Sequence, residues 1–208
     1  MKTTLATLTT ALLLSSFSSA FAASTVELTV KGLITPSACT PTLSSGGVID
    51  HGKISAKDID QDRGKSFKSM LTLNVNCDAQ TLFALRGIDN RAASSTISTG
   101  YGLGLINNLQ KIGAFQLQLL NPVAETPGIE PLESFDDGVT WSDSADAAWQ
   151  KQTLAGFGDR SSGAWYPAAI KDLTTELHVY TDIAPARGLD LSNEVLIDGS
   201  ATLEVKYL

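Results

Sequence analysis

The feature that most constrains this chain is the period of its apolar residues, which is two almost throughout. Val26, Leu28 and Val30 alternate with Glu27, Thr29 and Lys31, and Leu71, Leu73 and Val75 with Thr72, Asn74 and Asn76. Phe115, Leu117 and Leu119 alternate with Gln116 and Gln118. An extended backbone sends successive side chains to opposite faces, so each run reads as a strand with one buried face. Thr81 to Arg86, Thr174 to Ile183 and Ala201 to Leu208 add further strands, and Val48 to Gly52 a short edge segment. Thr35-Pro36-Ser37, Ser44 to Gly47 and Gly87 to Arg91 punctuate the pattern as turns. About seven or eight short strands with almost no helical period predict an all-β fold, an antiparallel β-sandwich.

The intervening stretches are less regular. Ile54 to Lys65 is polar and charged and reads as an exposed loop, and Ser94 to Asn108, with Gly100, Gly102 and Gly104, as an ordered one. Asn121 to Gly163 carries Pro122, Pro127 and Pro131, acidic pairs and few apolar runs. It reads as a long polar and aromatic excursion from the sheet, with one short helix over Ser142 to Gln150 capped by Ser142 or Asp143.

The ends of the chain carry their own signals. Lys2, the apolar stretch Leu5 to Phe17 and the small residues of Ala20-Phe21-Ala22 form a secretory signal pattern, with removal expected after Ala22. The apolar run is too short and too rich in Ser and Thr to span a bilayer. Residues 23–208 are then one exported domain, with no membrane partner after removal. The net charge of −7 and the scattered Lys and Arg exclude nucleic acid and anionic lipid, which need basic residues gathered on one face. Cys39 and Cys77 are the only cysteines. Export makes a disulfide the default, with two buried thiols as the alternative. Zinc is disfavoured, because neither His sits at ligand spacing from a Cys. At the other end, Ala201 to Leu208 alternates up to the terminal carboxylate with Tyr207 next to last. Chain ends are usually frayed and polar, so this end is expected to be paired into a sheet or gripped by a partner.

Residues that suggest chemistry have plainer readings. Asp58, Asp60 and Asp62 resemble a calcium loop, but Arg63 stands where the template wants Gly; a solvated acidic loop fits better. Asp136, Asp137, Asp143 and Asp146 are commonplace in a polar excursion, although paired carboxylates serve glycoside hydrolysis. His51 and His178 lie in no nucleophile motif, and His178 reads as a surface or edge residue because it alternates out of the Leu177 and Val179 face. Gly100 to Gly104 lacks the Lys of a phosphate loop. Trp141, Trp149, Trp165 and Tyr166 fall in one stretch; they either pin the excursion onto the sandwich or stack on a sugar. No enzyme, cofactor or metal site emerges.

Lys31-Gly32-Leu33-Ile34 with Cys39 seven residues after the Gly, a second Cys at the end of the next strand, Ile112 to Leu119, Leu177 to Asp182 and Tyr207 together resemble chaperone–usher pilins, the subunits of fimbriae. A closer similarity is to the GltF-like family of exported, fimbria-associated proteins. It is carried by Gly32, Thr35-Pro36, Cys39-Thr40-Pro41, Gly46 to Lys53, Asp89 to Arg91, Gly102 to Gly104, Gln110 to Gly113, Asp198-Gly199 and Val205 to Leu208. The pilin resemblance implies an immunoglobulin-like sandwich that lacks one strand and binds another by β-strand addition. It implies a Cys39–Cys77 disulfide, and a groove lined by Ala201, Leu203, Val205 and Tyr207, with the Leu208 carboxylate held by basic residues of a periplasmic chaperone. Partners would be that chaperone and other fimbrial subunits, and the location the periplasm or a surface fimbria. Val195 stands where pilins commonly have Gly, and only Ala23, Ser24 and Thr25 precede the first strand. The expectation is therefore a non-enzymatic subunit that accepts a strand but donates poorly. The alternative is a self-contained periplasmic module that binds a sugar or small ligand with its aromatic excursion.

Overall fold

The computed structural model describes residues 38–208. The expected signal segment, the strand expected over Thr25 to Ile34 and the turn at Thr35 to Ser37 lie outside the described residues. In chain order the strands are β1 (Cys39–Leu43), β2 (Lys65–Thr81), β3 (Phe83–Asp89), β4 (Tyr101–Gly102), β5 (Leu105–Ile106), β6 (Gln110–Lys111) and β7 (Gly113–Val123). They continue as β8 (Glu130–Ser134), β9 (Ser142–Asp143), β10 (Leu154–Asp159), β11 (Tyr166–Pro167), β12 (Ile170–Ile183) and β13 (Ala201–Tyr207). Among the described residues the only helical turns are short 3-10 turns.

Two sheets face each other across one core, and the strands within each pair antiparallel. The first has the order β1-β2-β12-β7-β4; the second has the order β13-β3-β10-β8-β9, with β11 beside β10. A small β5-β6 ladder stands apart. The molecule is the all-β sandwich that the period-two pattern predicts. Leu71, Leu73 and Val75 of β2, Leu177 and Val179 of β12, and Leu117 and Leu119 of β7 form one wall of the core. Phe83 and Leu85 of β3, with Ala155 and Phe157 of β10, form the other. The long β2–β12 ladder sets Leu177 opposite Leu71 and Val179 opposite Ser69. That register keeps the apolar set of both strands on one face, because a one-residue slip would turn it to solvent. Cys39 and Cys77 are bonded to each other and occupy one register position of the β1–β2 pair.

Five expectations need correction. Asn121 to Gly163 is not an excursion: β8 and β10 run through it and are inner strands of the second sheet. β10 reads Leu-Ala-Gly-Phe-Gly-Asp without alternation because both its faces are covered. Ala155 and Phe157 enter the core, while the Trp141 ring lies against Gly156 on the other face, 2.6 Å from where a Cβ would stand. Strands buried on both faces lose the polar half of the pattern. The helix expected over Ser142 to Gln150 is instead β9 followed by turns, and β9 pairs with Leu132 and Glu133.

Val48 to Gly52 is not a strand. The turn before it, with Ser45, Gly46 and Gly47 at φ 53, 61 and 75, delivers it as irregular backbone across the mouth of the sandwich. Gly87 to Asp89 continues β3, so the turn begins at Asn90. Gly87 is needed there because the Tyr101 hydroxyl occupies the space of its missing side chain. Finally, His178 is 9% exposed. It does lie on the opposite face from Leu177, but β12 is the middle strand of its sheet, with Met70 and Gln118 in register on either side.

Candidate functional site

On one side of the sandwich two sheet edges come together, β1 from the first sheet and β13 from the second. Each has a strand on one side only among the described residues. β13 pairs with β3 along its whole length, from Ala201 opposite Asp89 to Tyr207 opposite Phe83. The chain holds this register by alternation: Ala201, Leu203 and Val205 turn inward and pack on the main core, while Thr202 and Glu204 are exposed. The inward residues remain half-buried, and among the described residues no further strand covers the core on this side. A row of backbone donors and acceptors beside an incompletely covered apolar face is what a further strand pairs with.

The opening between the edges is a cavity of about 260 Å³. Ala201 and Leu203 line it from β13, Leu43 from β1, and Leu71, Phe115 and Leu117 from the floor. Outside the cavity, Tyr207 bridges the two edges: its hydroxyl accepts a 2.9 Å hydrogen bond from the Cys39 backbone N–H. At one end the cavity is bounded by His51, Ile197 and Gly199. Gly199 packs closely here, since a Cβ would stand 3.0 to 3.1 Å from Leu103 and Phe115 side-chain atoms. The polar groups are few. His51 Nε2 lies 3.1 Å from Thr181 Oγ1 and its ring stacks on Phe67 at 4.5 Å; Ser200 adds a hydroxyl.

Of the residues expected to bind a strand, Ala201 and Leu203 line the cavity, Val205 packs on the core, and Tyr207 is hydrogen-bonded to Cys39 of the other edge. Leu208 donates its N–H to the Leu82 carbonyl, and its side chain lies beside Gly138. Next to it Lys206 and Arg86 both pair with Asp137 at 2.5 Å. The Lys206 hydrogen bond, then the two positive charges, hold the Asp137 carboxyl below its ordinary value. Sequence reasoning missed the contribution of His51, Ile197 and Gly199. They sit on irregular backbone whose path the turns around it decide, and only the Gly at 199 hinted at close approach.

The aromatic cluster disperses. The Trp149 ring is buried in the main core, where its backbone N–H donates to the Leu117 carbonyl at 2.7 Å. Trp141 covers Gly156 and donates its indole N–H to the Gly138 carbonyl at 3.1 Å. Trp165 is half-buried and Tyr166, in β11, is 57% exposed. None of the four lines the cavity beside β13. The acidic loop is likewise engaged locally. Asp60 accepts the backbone N–H groups of Asp62 and Arg63, which hold its carboxyl below the usual range. Asp62 pairs with Arg187.

Residues 28–100 match a family model described as a protein of unknown function, DUF1120. The chain is 29% identical to Protein GltF of Escherichia coli (strain K12), over 99% of this chain and 97% of that protein. It is 26% identical to the Uncharacterized protein YhcF of the same organism, over 91% of this chain and 93% of that one. The similarity to GltF therefore runs nearly end to end and is distant.

Proposed function

We propose that this protein is a non-enzymatic β-strand acceptor of the fimbrial-subunit kind, which takes up an extended segment of a periplasmic chaperone or neighbouring subunit along β13. The observation that carries the reading is the outer edge of β13, unpaired among the described residues, beside the half-covered apolar cavity. An added strand would make main-chain hydrogen bonds to that edge and bury the exposed parts of Ala201, Leu203 and Val205. The pilin-like spacing around Cys39 agrees with such a partner. The disulfide agrees with an oxidising compartment.

The test is urea unfolding of the oxidised protein, alone and with a synthetic seven-residue peptide of alternating Val and Thr. A groove that accepts a strand gives a midpoint that rises with peptide concentration, because a ligand of the native state alone stabilises it by mass action. A high, cooperative midpoint that ignores the peptide overturns the reading. A self-contained binding module would then take its place, and a panel of sugars and amino acids read by Trp fluorescence would test it.

A further inference from the structure

Lys151 and Asp89 are paired in a setting that the other Lys and Arg ion pairs of the described residues do not share. Their side chains are 14% and 2% exposed, whereas the aspartates of the other pairs are at least 44% exposed. Asp89 ends β3, and Lys151 stands on the turn before β10, at a sequence separation of 62. Fixed backbone presents them to each other. β3 has a strand on both sides. The turn is tied by the Lys151 N–H, which donates to the Thr99 carbonyl at 3.1 Å. Buried Glu133 accepts the Gln150 N–H at 3.0 Å and the Thr153 hydroxyl at 2.6 Å.

The two oxygens of the Asp89 carboxyl are held differently. Oδ1 accepts the backbone N–H of Arg91 at 2.9 Å and that of Gly102 at 3.2 Å. Oδ2 shares the Gly102 N–H at 3.2 Å and faces Lys151 Nζ at 3.3 Å. That distance exceeds the roughly 2.7–2.9 Å of a tight charge-assisted hydrogen bond, so the pair is poorly compensated for its burial. The interior beside it screens charge weakly. The Tyr101 hydroxyl fills the space of the missing Gly87 side chain, two residues before Asp89 on the same face of β3. Burial first, then the Asp89 and Glu133 carboxylates, push that hydroxyl far up.

We propose that Lys151 and Asp89 condense into an intramolecular amide, a permanent cross-link between the end of β3 and the turn that leads into β10. One ammonium proton passes to Oδ2, leaving a neutral amine beside a neutral carboxylic acid. The nitrogen lone pair forms the N–C bond to the carboxyl carbon, and Oδ1 takes up the negative charge between the N–H groups of Arg91 and Gly102. The nitrogen, now positive, gives a second proton to the Oδ2 hydroxyl; the C–Oδ2 bond breaks and water leaves. One ammonium and one carboxylate become one amide and one water, with no oxidant, reductant or co-reactant. A cavity of about 330 Å³ lined by Gly87, Asp89, Lys151 and Gln152 receives that water. Free amines and carboxylates do not condense in water. Here the fold holds the two groups together, and the product removes two buried charges that pay a desolvation cost as an ion pair. The inference does not depend on the strand-acceptor reading. Its consequence is a tie that holds β3, the strand that carries β13, and that reduction leaves intact.

The test is the intact mass of the purified, reduced and denatured protein, set against that of Lys151→Arg, whose guanidinium keeps the charge and does not condense. After allowance for the substitution, the unaltered protein is lighter by the mass of one water molecule. Trypsin then leaves the chain uncut after Lys151 and releases one branched peptide that contains both Asp89 and Lys151. Equal masses overturn the inference. So does a loss of water with trypsin cleavage after Lys151, which shows a free amine there. The masses are read on denatured chains, so the comparison holds even where Lys151→Arg folds poorly.

Discussion

Asp136 shows how a single side chain shapes a loop in this protein. It accepts hydrogen bonds from the Thr140 hydroxyl at 2.6 Å, the Thr140 backbone N–H at 2.8 Å and the Ser134 hydroxyl at 2.8 Å. These bonds, the Thr140 hydroxyl first, draw its pKa down to about 2 from an ordinary 3.8. The folded value is depressed, so the contribution is fully present above pH 3.8 and is lost as pH falls through about 2. The expected outcome is a fall in the urea midpoint across that window which Asp136→Asn flattens. A carboxyl carbon that titrates near 3.8 in the folded protein, followed by NMR, would contradict it. Sequence alone showed Asp136 as one acid among several in a polar stretch. Its partners stand two and four residues away on either side of a turn that has Asp137 at φ 62 and Gly138 at φ 98, and only the folded turn brings them together.

At the scale of the element, β10 and β13 are opposites. β13 alternates cleanly because one of its faces meets the core and the other meets water, and it was legible in the sequence to within a residue. β10 was not, because Trp141 and the loop that carries it cover the face that would otherwise be polar. Covered on both sides, β10 contributes more to stability than its six residues would suggest. Phe157 is 1% exposed, and Phe157→Ala is expected to cost about 3–5 kcal/mol. Phe135, 64% exposed in the neighbouring loop, is the control, and its replacement by Ala should stay within roughly 0.5 kcal/mol. Comparable losses for the two, measured by denaturant unfolding, would show that burial in this sheet has been misjudged.

For the whole molecule, the Cys39–Cys77 bond closes a loop over a sequence separation of 38 residues and ties edge strand β1 to β2. Constraint of the unfolded chain by such a loop is worth about 3–4 kcal/mol in the chain-entropy model. Reduction is expected to lower unfolding stability by about that amount. It should also weaken peptide binding at β13, since the Cys39 N–H anchors Tyr207 across the groove. A reduced protein with an unchanged midpoint would refute the first expectation, and unchanged peptide affinity the second.

The alternation of Leu71 to Val75, Phe115 to Leu119, Leu177 to Thr181 and Ala201 to Tyr207 determined by itself that the fold is a sandwich, which strands build it and which faces turn inward. A period of two leaves a half-buried strand no other solution. Only the tertiary structure decided that β8 and β10 complete the second sheet, that His178 is enclosed, and that the aromatic residues serve separate places. It alone set β1 and β13 side by side as edges among the described residues, and placed His51, Ile197 and Gly199 at one end of the cavity between them. The reason is physical. Periodicity records whether a residue faces apolar or polar surroundings, whereas pairing between distant strands, and the cover that a loop lays over a sheet, depend on contacts between segments far apart in sequence.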